Sequence, residues 1–285
     1  MRMFRLAGIA VAALVVAGCF QSTTLIRVNA DGSGTIEQTT LVTEAALRQL
    51  RQFAAANDEN GKRTDLFSID QARQIAEAIG SDVTVVSSTR IKTAEGEGSK
   101  AVLAFPDINR LRIKQGDASE GGADVGGAAI GLSAAQVRFA LTREADGRSV
   151  LRISLPPAKI QTAAIGTAPA GSGGRPQSHI APEHLAVVKQ IFTGMRVSVA
   201  VEPIGQLVKT SSPFVDGPRV TLVDVAFDQL LANDAAFARL QTARTIDDVR
   251  AAIKDVPGLK VNLDPEITIE FMSAKQPSRQ PGGLD

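Results

Sequence analysis

The stretch Thr24-Leu25-Ile26-Arg27-Val28-Asn29-Ala30-Asp31-Gly32-Ser33-Gly34-Thr35-Ile36 decides how this chain begins to fold. Its first five residues are mostly aliphatic or β-branched and fit a pleated strand. Residues 29–34 are small and polar, a composition that turns a chain rather than extending it. Asp31-Gly32 supplies the positive-φ position of a tight turn, and residues 35–42 return as a second strand. Asp31 and Ser33 could also serve as metal or phosphate ligands. The Asp-x-Asp spacing of a calcium loop and the Gly-Lys-Ser/Thr end of a phosphate loop are both missing, so the stretch reads as a plain hairpin.

Ahead of the hairpin stands a different kind of segment. Arg2 and Arg5 precede an apolar run over 6–16, which has the length of a secretory signal core and is short for a bilayer span. Val16-Ala17-Gly18-Cys19 follows and resembles the lipobox of bacterial lipoprotein signal peptides. That resemblance implies removal of 1–18 and acylation (palmitate among the chains) of Cys19, the only cysteine present. The alternatives are an uncleaved membrane helix or a plain secretory peptide. Only 20–23 separate Cys19 from the strand expected over 24–28, so the tether is short and the folded part sits near the headgroups.

Composition narrows the function classes. Hydrophobic residues are 44% and charged residues 21%, ordinary for a globular chain with a real core. The formal net charge is +1, and loss of Arg2 and Arg5 keeps it near neutrality, so no strong net field holds nucleic acid. With no Trp, no Tyr and 11 Phe, the usual stacking platforms for sugars or bases are scarce. One cysteine cannot form an internal disulfide, so the core must hold the fold.

Towards the C-terminus the pattern is hairpins and helices. Thr43 caps a helix expected over 44–56, and Ser68 or Asp70 caps a second that Gly80 ends. Residues 82–92 and 100–105 form a second hairpin across a turn at 94–99. The Gly96-Glu97-Gly98-Ser99-Lys100 run lacks the spacing of a phosphate loop. Residues 136–143 and 149–155 alternate on either side of Asp146-Gly147 as a third. Between them, 115–131 is Gly/Ala/Asp-rich and reads as a mobile loop, as does 156–181. A helix over 182–195 then feeds a meander of strands at 196–201, 206–211 and 219–225. Short helices at 228–231, 233–242 and 245–254 precede closing strands at 259–263 and 266–271, and 273–285 reads as a disordered tail. The expected organisation is a signal peptide (1–18), an N-terminal α+β half (19–155), a flexible loop (156–181), a C-terminal α+β half (182–272) and the tail. The fold class is α+β, one antiparallel sheet of hairpins and a meander packed with several helices.

The hairpin after Cys19, the run Phe192-Thr193-Gly194-Met195-Arg196-Val197-Ser198-Val199-Ala200-Val201-Glu202-Pro203-Ile204-Gly205 with Val220-Thr221-Leu222, and the closing Pro257-Gly258-Leu259-Lys260 with 267–271 together resemble a family of poorly characterised bacterial lipoproteins, the LppM-like group. The resemblance implies an α+β fold with an antiparallel sheet. It implies no agreed activity and no catalytic residues.

The only histidines, His179 and His184, are five apart around Pro182, and a zinc pair on a helix wants a spacing near four plus further ligands. No Gly-x-Ser-x-Gly elbow occurs, and the paired carboxylates Asp247-Asp248 and Glu95/Glu97 read as a helix cap and a solvated turn. The expectation is therefore a non-catalytic, lipid-anchored envelope protein with no catalytic residue, cofactor or metal and Cys19 as lipidation site. It would sit in the outer membrane where the cell has one, facing periplasm or exterior. Its expected partners are the membrane through its acyl chains and an envelope protein. An apolar or lipid ligand is the first alternative, a hydrolase the second, and no nucleic acid is expected.

Overall fold

The computed structural model describes residues 20–44, 46–48, 67–114, 136–155 and 194–273. The expected signal segment, Cys19, both histidines, the loops at 115–131 and 156–181 and the tail after Ser273 lie outside them, as does most of the helices expected over 44–56 and 182–195.

Strands dominate, arranged in two sheets. The first strand, β1 (Phe20–Val28), pairs antiparallel with β2 (Gly34–Thr43) across the Asp31-Gly32 turn, where Gly32 has φ +93°. The helix α1 (Ile69–Ile79) follows, its first turn capped by the Ser68 hydroxyl, which accepts from the Gln71 N–H, and its chain ends at Gly80. Next come β3 (Thr84–Lys92), β4 (Gly96–Phe105), a 3-10 turn at Ile108–Arg110, β5 (Arg112–Lys114), β6 (Gln136–Arg143) and β7 (Arg148–Ser154). The remainder is β8 (Arg196–Pro203), β9 (Gly205–Thr210), β10 (Val215–Asp216), β11 (Arg219–Ala226), α2 (Phe227–Ala232), α3 (Asp234–Thr242), α4 (Ile246–Ile253), β12 (Leu259–Val261) and β13 (Glu266–Ser273).

The larger sheet has the order β10-β11-β8-β1-β2-β4-β3, with β12 also on β11, and is mixed because β1 and β8 run parallel. The smaller sheet, β5-β6-β7-β13-β9, is antiparallel throughout. Both draw strands from either half of the chain, since β8 lies beside β1 and β13 beside β7. Ile26, Val28, Ile36, Leu103 and Val201 of the larger sheet share one fully buried core with Leu151, Ile153, Ile267, Ile269 and Phe271 of the smaller. Burial of such side chains contributes about 1.5–3 kcal/mol each, and their zero or near-zero exposure makes this layer the main source of stability.

The expected single antiparallel sheet is thus two sheets, one of them mixed. The expected meander breaks at 203–205. Pro203 ends β8, Ile204 N–H donates to the Val28 carbonyl at 2.7 Å, and Gly205 at φ +147° swings the chain into the other sheet as β9. Two boundaries also move. Strand β1 starts at Phe20 instead of residue 24, and the turn placed at 94–99 is shorter because β4 already runs from Gly96.

Candidate functional site

The end of the larger sheet nearest the N-terminus is where the anchor reading makes its structural claim. Phe20 is in register with Val42, and Gln21 lies opposite Leu41 on one side and Arg196 on the other. No tether separates Cys19 from the sheet, because its next neighbour is already a paired strand residue. Phe20 and Phe67 each pack against the buried cluster of Val42, Ala46 and Leu47, and the Thr43 hydroxyl accepts from the Ala46 N–H at 3.5 Å, which is the cap expected for a helix starting there. At the same end, Arg196 grips Asp224 through two bonds of 3.0 and 2.9 Å, which hold the guanidinium pKa above its ordinary value.

The outward face of the larger sheet carries a ladder of alternating charge over five neighbouring strands. Lys100 Nζ lies 2.9 Å from Glu37, Glu37 lies 3.4 Å from Arg27, Arg27 lies 3.3 Å from Glu202, and Glu202 lies 3.3 Å from Arg219. The hydrogen bond from Lys100, opposed by partial burial and reinforced by Arg27, holds the Glu37 carboxyl below its ordinary value.

A hollow of about 230 Å³ opens between the end of α1 and the 3-10 turn. Gly80, Phe105 and Leu111 floor it, and Asp82, Asp107 and Arg110 stand at its edge. Asp82 is ion-paired with Arg110, and Asp107 accepts from the backbone and side chain of Asn109 at 2.9 and 2.7 Å. One ion pair, Asp82–Arg110, thus lies at this rim. Asp107 is held by Asn109, and Arg112, which also lines the hollow, donates to the backbone carbonyls of Asn109 and Leu111.

Other residues singled out by the sequence have local partners. The Asp31 carboxylate accepts from the Ser33 hydroxyl at 2.7 Å and from its N–H at 2.9 Å, and these two bonds hold its pKa below the ordinary value. Asp248 closes a capping box with Thr245, Asp247 pairs with Arg250 at 2.6 Å, and Glu97 pairs with Lys92 at 3.2 Å. Gly96 and Gly98 sit inside β4, where a side-chain carbon would collide with the carbonyl oxygens of Val42 and Thr40, so they serve close strand approach. Among the described residues no cluster of three or more His, Cys, Asp or Glu side chains could hold a metal ion, and no helix is long and apolar enough to cross a membrane.

Of the buried polar side chains Ser149, Ser212, Thr221 and Asn262, Asn262 has the longest reach and no signal in the sequence. Asn262 is 7% exposed, and its side-chain amide donates to the carbonyls of Thr221 and Leu222 at 2.7 and 3.1 Å. These oxygens lie at the bulge where the β8–β11 register shifts.

No protein-family model matches the chain, and no curated protein matches it. Among solved structures, the NMR structure of the folded domain of the Mycobacterium tuberculosis LppM protein aligns over 90% of this chain and 92% of that one, at 10% sequence identity and a TM-score of 0.33. Fold and site together define a mixed α+β, two-sheet protein whose first strand lies in the middle of the larger sheet.

Proposed function

We propose that this chain is a lipid-anchored, non-catalytic envelope module that presents its folded part to other molecules close to the membrane surface. The observation that carries the reading is the register at Phe20. A strand flanked by β2 and β8 begins one residue after the sole cysteine. Acyl chains on Cys19 would then fasten to a rigid sheet, not to a floppy leash, and the bilayer surface would lie within about one residue length, ~3.5 Å, of the sheet's end. Two or more chains are what stable anchoring takes. A module fastened this way keeps one end to the lipid and the rest of its surface outward, a geometry suited to presenting a face and unneeded by a freely diffusing protein.

Fractionation tests it. Wild-type chain should be found in the membrane fraction, with fatty acid on the N-terminal peptide by mass spectrometry. Cys19→Ser should lose the modification and the retention. An unacylated Cys19 in the mature protein, or full retention of Cys19→Ser, overturns the anchor.

A further inference from the structure

The outward face of the smaller sheet carries charges that go unanswered among the described residues. Val137 and Phe139 on β6 and Leu151 and Ile153 on β7 are buried, so Arg138 and Arg152 between them face outward, and both are exposed. The register sets Arg112 directly opposite Arg138, Arg138 opposite Ser154, and Arg152 opposite Ala140. Two arginines thus stand about 5 Å apart across neighbouring strands, with the third on the diagonal at about 7–8 Å. Like charges directly opposite weaken a strand pair.

On the larger sheet Arg27, Lys100, Arg196 and Arg219 each hold a carboxylate. On the face of the smaller sheet Arg112 donates, among the described residues, only to the neutral carbonyls of Asn109 and Leu111, at 2.9 Å each. Arg138 and Arg152 have neither an ion pair nor a side-chain hydrogen bond among the described residues. The face has two carboxylates near the stripe. Glu270 is taken by Arg148 at 2.8 Å, and Glu266 stands opposite Ser154 without reaching an arginine. Between the arginines the surface is small-chained, with Ala140, Ser154 and Thr268, and it carries no aromatic ring. An extended chain can lie flat here. Among the described residues no ring on this face stacks a base, and its exposed aliphatic chains, Met272 at the far end of β13 and Val208 on β9, stand apart from the stripe.

We propose that this face docks an acidic, extended segment of a protein partner, its carboxylates received by Arg112, Arg138 and Arg152. Alternate side chains of an extended strand repeat at about 6.8 Å, which suits the spacing of the three guanidiniums, and a guanidinium takes a carboxylate through two parallel bonds. The chemistry favours a protein over a lipid surface: the carboxylates of one extended chain stand at a fixed repeat along a single line, which mobile headgroups do not offer. The proposal deepens the reading of the chain as an interaction module and does not depend on the anchor at Cys19.

The test is fluorescence anisotropy of a labelled peptide of alternating glutamate and serine, titrated with the full chain in detergent solution. Wild type should bind the peptide, more weakly as salt rises, and R138E/R152E should weaken binding about tenfold or more. The neutral R138Q/R152Q pair, checked for native circular dichroism, stands in should the reversal fail to fold. Equal binding by that variant overturns the proposal. So does a preference of the unacylated Cys19→Ser chain, in detergent-free buffer, for vesicles of mixed neutral and anionic phospholipid, or for a single-stranded oligonucleotide, over the peptide. Cys19→Ser should bind the peptide as wild type does, so loss of the anchor and loss of the face are separate results.

Discussion

The two sheets solve the same problem differently on their outward faces. On the larger sheet, Lys100, Glu37, Arg27, Glu202 and Arg219 alternate in sign, each within 3.4 Å of its neighbour. On the smaller one, arginine stands opposite arginine, and Arg138 and Arg152 have no partner among the described residues. Surface pairs taken singly are worth ~0–1 kcal/mol, but a connected row fixes the lateral order of strands and repels a wrong register. That matters most at the parallel β1–β8 pairing, where the two halves of the chain meet and Arg27 faces Glu202 directly. The smaller sheet is assembled by its buried face, with Leu151, Ile153, Ile267, Ile269 and Phe271, so its outer face is free to carry charge at some cost.

The contrast can be broken first at its floor. Gly98→Ala places a methyl against the Thr40 carbonyl and forces β4 away from β2, the pair that carries the Lys100–Glu37 rung. A loss of about 3 kcal/mol is expected in denaturant unfolding. A Gly98→Ala protein as stable as wild type would show that the two strands have room to spare. The same kind of substitution should then act oppositely on the two faces. Arg27→Glu sets a third carboxylate between Glu37 and Glu202 and should cost about 2 kcal/mol, or about 5 °C in melting temperature. Arg138→Glu gives Arg112 an opposite charge across the strands and should not destabilise. Equal destabilisation by both would erase the distinction between the faces.

Acid sharpens the comparison further. Glu37 has its pKa lowered on folding, chiefly by the hydrogen bond from Lys100, so its stabilisation is present above the unfolded glutamate value of about 4.3 and is lost as pH falls through the lower folded value. Glu37→Gln should therefore be less stable than wild type by about 1 kcal/mol at pH 7, and the gap should close in strongly acid solution. Melting curves from pH 7 down to pH 3 measure it, and a gap that stays constant would mean that the rung works through packing, not charge.

Much of this was readable from the residues, in proportion to how local the cause is. Alternation and an Asp-Gly turn found the hairpins of β1–β2 and β6–β7, because both strands and the turn lie in one short window. The same reading misplaced Gly96 and Gly98. Glycine serves a turn and a close strand contact alike, and only the Val42 and Thr40 carbonyls reveal which. Alternation says that one side of a strand is buried but not by whom. The switch of β9 into the second sheet depends on β13, some sixty residues on, and the β1–β8 pairing joins even more distant segments. Arg138 and Arg152 were legible as outward residues from their neighbours Val137, Phe139, Leu151 and Ile153. That Arg112 faces Arg138 was not, since their register is set across 115–135. Asn262 left no mark in the sequence, for its role exists only once the bulge at Thr221–Val223 has formed. The expectation of an anchor at Cys19 rests on its motif alone.

The smallest expected effect bears most directly on why the arginine stripe exists. Arg138→Thr removes one member of the opposed pair, puts a β-branched residue on an outward strand position and leaves Arg152 in place. If the stripe were there for the fold, its removal would destabilise. If the stripe is maintained for a partner, the free protein carries it at a loss, and the substitution should stabilise by about 0.3 kcal/mol, or about 1 °C. Relief of Arg112 would be strongest at low ionic strength and would fade as salt screens the pair. Replicate melting curves at two salt concentrations resolve a shift of that size. A stabilisation that disappears at high salt identifies the opposed charges as its source, whereas a destabilisation at both would place Arg138 among the residues that hold the smaller sheet together.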